Sequence, residues 1–170
     1  MLKLVGAILL TGGGAWMGLN AAGELRSRIK ALEAWQDALT LLRSELAFRL
    51  PAMPALTATL IDRSREPARG TFAELEKGLE RLGEQSFEEL WRAALTAHAG
   101  GLNGEDLELL QSLGDLLGRY GWEDQCRGLE SVRQELGRRS LQAREDQRQK
   151  GKAYGTLGLA LGAFMTILLL

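Results

Sequence analysis

Hydrophobic and polar positions divide this chain into three parts. Residues 4–23 and residues 153–170 contain no charged side chain, and every charged residue except Lys3 lies between these two runs. Each run is about as long as a helix must be to cross the apolar core of a bilayer. The pattern therefore predicts an N-terminal transmembrane anchor over residues 1–23, a soluble domain over residues 24–152 and a C-terminal transmembrane anchor over residues 153–170.

Within the middle part, apolar residues recur at the three- and four-residue spacing of amphipathic helices, and no segment alternates as a strand does. The first helix should end before Pro51, because the residue before a proline avoids the helical conformation. Capping boxes at residues 71–74 and 86–89 and a cap at Asn103 predict three later helix starts. We therefore predict an all-α fold, a six-helix cytoplasmic bundle flanked by N- and C-terminal transmembrane helices.

The remaining boundaries follow from proline and glycine. A short helix is predicted to start at Pro54, a polar loop to occupy residues 63–70, and Gly83 to close the helix after that loop. The sixth helix should begin near Trp122 and continue into the C-terminal anchor. Because the first helix leaves the membrane and the sixth returns to it, the two should lie antiparallel, with facing residues whose numbers sum to about 175.

Charge narrows the functional classes. With 21 basic and 22 acidic residues the chain has a formal net charge of −1, which argues against nucleic acid as a partner. The single cysteine, Cys126, excludes an internal disulfide.

Basic residues flank both anchors on the side of the domain, which predicts that the domain is cytoplasmic and that both termini lie outside the cytoplasm. A cleaved signal peptide is the alternative for the N-terminal run, although Lys3 is its one early basic residue.

The residue types that carry chemistry are sparse. His98, the one histidine, falls in the last turn of a predicted helix, where a cation suits the helix dipole. Cys126 falls on an apolar stripe, as buried small side chains do. Glu105, Asp106 and Glu108 sit where a helix starts, which is ordinary for carboxylates. We therefore assign no catalytic residue, no metal ligand and no cofactor, and we expect the chain not to be an enzyme.

Small residues suggest how the anchors could meet. Gly14 and Gly18 are four residues apart in the first anchor, and Gly158 and Gly162 repeat this spacing in the second. Such pairs let two membrane helices approach closely. The alternative is that glycine is simply common in membrane helices.

An imbalance near the membrane predicts a contact with a partner. Leu25, Ile29 and Leu32 continue the apolar stripe of the first helix down to the anchor, whereas the sixth helix offers small or charged residues at that height, Ala143 among them. We expect these three side chains to stay uncovered within the domain and to contact a second copy or another protein. The alternative is that lipid headgroups, or the aliphatic stems of Arg144 and Arg148, cover them.

Three segments together resemble one family. They are Met-Leu-Lys-Leu-Val-Gly-Ala-Ile-Leu-Leu at residues 1–10, Leu-Pro-Ala-Met-Pro-Ala-Leu at residues 50–56 and Leu-Gly-Leu-Ala-Leu-Gly at residues 157–162. In this order, and with the charged sixth helix between the last two, they resemble the stage III sporulation protein AB family. The resemblance implies a soluble domain similar to the F domain of type II secretion platform proteins. It implies a location in the mother-cell membrane facing the forespore.

The resemblance also implies a function. Members are structural adaptors in a secretion-like channel complex between mother cell and forespore, required for endospore formation. The implied partners are a cytoplasmic secretion-type ATPase, stage III sporulation protein AA, and other channel proteins. A different class stays open: an independent membrane-tethered helical protein that regulates a signalling or lipid enzyme by binding it. Assembly into a homo-oligomer is open as well.

Overall fold

Six α-helices, and no β-strand, make up the part of the chain that the computed structural model describes, which confirms the all-α prediction. Its backbone is described for residues 2–48, 52–119 and 121–169, and its side chains from residue 23 to residue 149 except 49–51, 118–120 and 122. The helices are α1 (Leu2–Phe48), α2 (Met53–Arg63), α3 (Ala68–Gly78), α4 (Phe87–Ala97), α5 (Gly104–Arg119) and α6 (Trp122–Leu169), with a 3₁₀ turn at Leu79–Arg81.

The two long helices, α1 and α6, form an antiparallel spine. Ion pairs join Arg43 to Glu130 at 3.5 Å and Glu33 to Arg144, so that numbers rising along α1 meet numbers falling along α6. The numbers of these pairs sum to 173 and 177, on either side of the predicted 175. The register could be predicted because both helices meet the same predicted membrane boundary and have the same rise per residue.

The four shorter helices run down and up along this spine. Each contacts its neighbour in the chain: α2 packs on α3, α3 on α4, α4 on α5, and α5 on α6. The connections at residues 64–67 and 98–103 meet at one end, where Pro67 approaches Gly100. We call this the proximal end, because α1 enters the bundle and α6 leaves it there. The opposite end, where α1 and α5 end, α2 and α6 begin, and residues 79–86 join α3 to α4, is the distal end.

Three aromatic rings form the centre of the core. The ring centroids of Trp35 on α1, Phe72 on α3 and Trp91 on α4 lie 5.7–6.1 Å apart, a spacing typical of favourable tilted and edge contacts. The indole N–H of Trp91 also donates a hydrogen bond of 2.8 Å to the carbonyl of Leu110 on α5. The core therefore ties four of the six helices together at mid-height.

The prediction of where α3 starts is wrong. The helix begins at Ala68, inside the predicted polar loop, and Thr71 is a fully buried residue of the helix rather than its cap. The Thr71 hydroxyl donates to the carbonyl of Pro67 at 3.2 Å, and the N–H of Gly70 donates to the carboxylate of Glu66 at 3.2 Å. The small residues 68 and 70 can pack inward, and burying them extended the helix by one turn.

The starts of α2 and α4 agree with the sequence. Pro54 lies in the first turn of α2, and Ser86 makes the predicted capping box: its hydroxyl accepts from the N–H of Glu89 at 3.3 Å, and the Glu89 carboxylate accepts from the N–H of Ser86 at 2.9 Å. The prediction that Gly83 closes the third helix is wrong: α3 ends at Gly78, and Gly83, with a φ of 115°, lies in the turn before α4.

The predicted anchors, residues 1–23 and 153–170, lie almost entirely within residues 1–22 and 150–170, whose side chains the structure does not describe. Among the residues that were searched, which exclude these two stretches, no helix has the length and apolar content needed to cross a membrane. The anchors therefore stay predictions from the sequence. So does the packing proposed between them, because its residues lie outside the described side chains: Gly14, Gly18, Gly158 and Gly162.

Candidate functional site

The start of α5 holds the most unusual polar group of the described chain. Asn103 caps this helix, as predicted: its side-chain oxygen accepts a hydrogen bond of 2.9 Å from the N–H of Asp106. The carboxylate of Asp106 returns the contact, accepting from the N–H of Asn103 at 3.4 Å. This is a capping box with aspartate in the place that glutamate usually takes, and it turns the carboxylate inward toward the spine.

The carboxylate of Asp106 is fully buried between two arginines. Arg28 of α1 donates from Nε to Oδ2 at 2.8 Å and from Nη2 to Oδ1 at 3.1 Å. Arg139 of α6 donates from Nη1 to Oδ1 at 3.1 Å. The side chains of Arg28 and Arg139 are 22% and 19% exposed, so both guanidinium groups are largely withdrawn from water. We call Asn103, Asp106, Arg28 and Arg139 the Asp106 clamp.

The clamp continues along the surface of α6. Arg139 also donates from Nε to the carboxylate of Glu135 at 3.0 Å, and Glu135 pairs with Arg138 at 2.8 Å. One chain of alternating charges therefore runs from α1 through the start of α5 to α6. The guanidinium of Arg139 is shared between the carboxylates of Asp106 and Glu135. Two partners restrict the rotamers of this side chain more than one would.

Burial and ion pairing act in opposite directions on Asp106. Burial raises the pKa of this carboxyl, but hydrogen bonds from Arg28 and Arg139 outweigh it and hold the pKa below its ordinary value of 3.8. The same contact raises the pKa of Arg28 above its ordinary value. The carboxylate is therefore ionised at neutral pH. A buried charge in this state is tolerated only with its partners in place.

This arrangement holds helices together and offers little to a reactant. The two Asp106 oxygens accept four hydrogen bonds, and the carboxylate has no exposed surface. A ligand or substrate would have to displace an arginine to reach it. The clamp therefore fixes the start of α5 to both spine helices at the proximal end.

Sequence reasoning grouped Asp106 with ordinary carboxylates at a helix start. The spacing of three residues from Asn103 was a usable signal for the cap. Nothing in the sequence identified Arg28 and Arg139 as its partners, because they lie 78 and 33 residues away along the chain.

A shallow groove beside the clamp contains His98. It is lined by the side chains of Ser27, Lys30, Glu66 and His98, with Gly101 at its edge. His98 follows the last residue of α4, and its N–H donates to the carbonyl of Ala94 at 3.2 Å, as its predicted place at the helix end requires.

The histidine and the cysteine are not brought together with ligating partners. Cys126 is half-buried and packs against the core from α6, in accord with its predicted apolar stripe. Within the residues that were searched, no group of three His, Cys, Asp or Glu side chains could hold a metal ion.

The expectation that the stripe near the anchor stays uncovered is wrong for two of its three residues. Ile29 is 8% exposed and Leu32 is 0% exposed, while Leu25 is half-buried. The small residues that α6 presents at this height, Ser140 and Ala143, are themselves buried and let the helices approach closely. The prediction assumed that small residues on α6 would leave the apolar side chains of α1 uncovered. Instead, the small residues let the helices come close enough for the bundle to cover those side chains. Ile29 and Leu32 therefore belong to the core and cannot form the predicted partner contact.

The fold and the clamp define an all-α protein in which two long antiparallel helices form a spine and a buried ion-pair group fixes the shorter helices to it. This chain belongs to the stage III sporulation protein AB family, whose sequence model matches residues 3–170. The resemblance inferred from the sequence is thus confirmed, and membership gives the protein a role in sporulation.

A solved structure agrees with this assignment. The structure of a stage III sporulation protein AB is similar to this chain with a TM-score of 0.65 and 18% sequence identity, and the match covers 72% of this chain and 98% of that one. At this identity the likeness supports the fold alone. No curated protein sequence matches the chain.

Proposed function

We propose that this protein is a membrane-anchored structural adaptor of a secretion-like channel complex between mother cell and forespore. In this function it couples a cytoplasmic secretion-type ATPase, stage III sporulation protein AA, to the membrane assembly. It has no catalytic activity of its own and needs no cofactor. Other channel proteins, and further copies of this chain, are the neighbours expected in the membrane.

One observation supports this proposal above the others: the Asp106 clamp fixes α5 to both spine helices at the end where α1 enters and α6 leaves the bundle. A force applied to the shorter helices would pass through the clamp into both spine helices. Ion pairs between Arg43 and Glu130 and between Glu33 and Arg144 tie the two spine helices to each other. A rigid connection of this kind suits a protein that transmits movement or position.

The test is recovery of the ATPase with the full chain from membranes of sporulating cells. The tagged chain should bring down stage III sporulation protein AA after gentle solubilisation, whereas a tagged membrane protein of unrelated fold should not. Recovery of a signalling or lipid enzyme without the ATPase would favour the regulatory class instead. If the tagged chain does not recover the ATPase even after chemical cross-linking of the membranes, the proposed coupling is contradicted.

The absence of catalysis is tested separately through the two side chains most capable of it. His98→Ala and Cys126→Ala should each leave the spore yield of a complemented strain within about twofold of the parent, because neither side chain belongs to a constellation that activates it. A spore yield that falls to the level of a deletion strain, with the protein still present in membranes, would argue for chemistry.

The cytoplasmic placement of the domain is tested by cysteine labelling. On a Cys126→Ser background, a new cysteine at the exposed position Ser112 should resist an impermeant thiol reagent in intact cells and react after lysis. Labelling in intact cells would place the domain on the other side of the membrane and exclude a cytoplasmic motor.

A further inference from the structure

The distal end of the bundle exposes large apolar side chains. Phe48, at the end of α1, is 87% exposed, and Leu82, in the turn before α4, is 53% exposed. Leu141 is the other large apolar side chain that is well exposed among the described residues, and it lies on the flank of α6 toward the proximal end. Beneath the distal end lies an apolar cavity of about 80 Å³, bordered by Leu46, Phe87 and other core side chains.

Charge is unevenly distributed between the two ends. The three distal segments, residues 45–52, 76–89 and 115–124, contain nine acidic and four basic residues, a net charge of −5. The whole chain has a net charge of −1, so the remainder carries +4. The distal end is therefore acidic relative to the rest of the chain.

Several distal carboxylates are not used by the fold. Glu80, Glu84 and Glu123 are exposed, and none of them forms an ion pair with a described residue. By contrast, three carboxylates of the spine, Glu33, Glu130 and Glu135, are each paired with an arginine. Exposed carboxylates that have no ion pair among the described side chains, beside exposed apolar residues, can meet a partner of opposite charge.

We propose that the distal end docks a protein whose surface combines an apolar cleft with a basic rim. Phe48 and Leu82 supply the apolar contacts. Glu80, Glu84 and Glu123 supply the charge that complements the basic rim. Exposed aromatic side chains at the centre of a contact contribute strongly to binding, and surrounding charges set its rate and specificity. This inference rests on the proposed function for the nature of the partner, a cytoplasmic protein reaching the end of the domain furthest from the membrane.

The negative charge of the distal end distinguishes between the molecules that could bind there. A second copy docking end to end would bring a charge of −5 against −5, and like charges facing each other disfavour binding. Nucleic acid and anionic lipid are disfavoured by the same sign. A basic protein surface is the occupant that the charge fits.

Site-specific photo-cross-linking of the full chain in membranes of sporulating cells tests the surface. A photo-reactive phenylalanine analogue replaces Phe48, Leu82 or, as the matched control, Leu141, whose exposure lies between those of the other two. Positions 48 and 82 should give the same heterologous adduct, and position 141 should not. The cross-linked peptide of the partner, identified by mass spectrometry, should come from a surface of net positive charge.

A charge reversal provides the second arm. Glu80→Lys with Glu84→Lys should lower the yield of the adduct at position 48 by roughly tenfold or more, in line with the loss of complementary charge at an interface. Glu145→Lys with Asp146→Lys makes the same change of charge on exposed residues of α6 and should leave the yield within about twofold. An equal loss in both double variants would contradict the assignment of charge to the distal end.

The outcomes separate this inference from the proposed function. If the wild-type chain recovers the ATPase but positions 48 and 82 give no adduct, or give an adduct with a second copy, the docking surface is wrong while the adaptor stands. If positions 48 and 82 give a charge-sensitive adduct with a basic protein other than the ATPase, the surface stands while the coupling to the ATPase fails.

Discussion

Among single residues, Asp106 places the greatest demand on the fold, because its ionised carboxylate has no exposed surface and depends on groups from three helices. Breaking a buried ion pair by removing one partner costs far more than the pair contributes, since the remaining charges stay behind without compensation. Arg28 and Arg139 keep about a fifth of their side chains exposed, so water would relieve part of that cost.

Asp106→Ala should therefore lower the free energy of unfolding by about 3 kcal/mol, since it removes both the cap and the shared anion. The measurement is urea unfolding of the full chain in detergent, followed by tryptophan fluorescence. Glu105→Ala removes the neighbouring carboxylate, which is exposed, and should cost less than about 0.5 kcal/mol. Equal effects of the two variants would mean that the clamp does not hold the helices.

The apolar stripe of α1 gives a second contrast between neighbouring positions. Leu32→Ala should lower the free energy of unfolding by roughly 2–5 kcal/mol, because the side chain is fully buried and its removal leaves a cavity. Leu25→Ala changes a half-buried position two helical turns earlier, and it should cost less than about 1 kcal/mol. A Leu32 variant as stable as the Leu25 variant would restore the original idea that the stripe faces a partner.

Among the elements, the connection between α4 and α5 packs closely against the backbone of α1. It crosses α1 at Gly101, where a Cβ atom would lie 2.6 Å from the carbonyl carbon of Ser27 and 2.9 Å from the nitrogen of Arg28. Both are backbone atoms of a helix and cannot move aside cheaply. A glycine here lets the connection touch α1, and this contact places the start of α5 where Asp106 reaches Arg28.

Gly101→Ala should therefore destabilise the chain by roughly 1–3 kcal/mol, the usual cost of inserting a methyl group into a filled contact. Gly104→Ala, three residues later in α5, adds the same methyl group where no atom lies within 4 Å. It should change the free energy of unfolding by less than about 1 kcal/mol. Thermal unfolding of the two variants side by side is sufficient. A Gly101 variant that melts with the parent would show that the connection does not rest on α1.

For the whole molecule, the ion pairs predict how stability varies with pH. The pKa of Glu130 is lowered to about 2 by hydrogen bonds from Arg133 and Gln134, and that of Glu135 to about 2 by hydrogen bonds from Arg138 and Arg139. In the unfolded chain these groups return toward 4.5. A lowered pKa in the folded state means that the unfolded chain binds more protons, so stability rises with pH in this window.

The stability contributed by these carboxylates should thus be present above about pH 5 and be lost as the pH falls toward about 2. Urea midpoints measured from pH 7 to pH 2 should trace this loss. Glu130→Gln with Glu135→Gln should flatten the acid part of the curve. Glu84→Gln, whose carboxylate forms no ion pair with a described residue, should leave its shape unchanged. An unaltered acid slope in the double variant would mean that other groups set it.

The sequence by itself determined the class of fold, the antiparallel spine and its register, and the family. Each depends on short-range patterns or on order along the chain: apolar spacing gives helices, a capping box such as that of Ser86 gives a start, and equal rise per residue gives the height at which α1 meets α6. The same local rules misplaced the start of α3, because the burial of Ala68 and Gly70 outweighed the capping signal at residue 71.

Only the tertiary structure decided which side chains are buried and with what. It placed Arg28 and Arg139 on one carboxylate and covered Leu32 with a helix that offers mostly small or charged residues at that height. It also placed the exposed side chains of Phe48 and Leu82 and the exposed carboxylates of Glu80, Glu84 and Glu123 at one end. These results depend on contacts between residues far apart in the chain, and on the close approach that small side chains permit. Spacing along a sequence carries no record of either, because partner and distance are set only when the helices have been packed together.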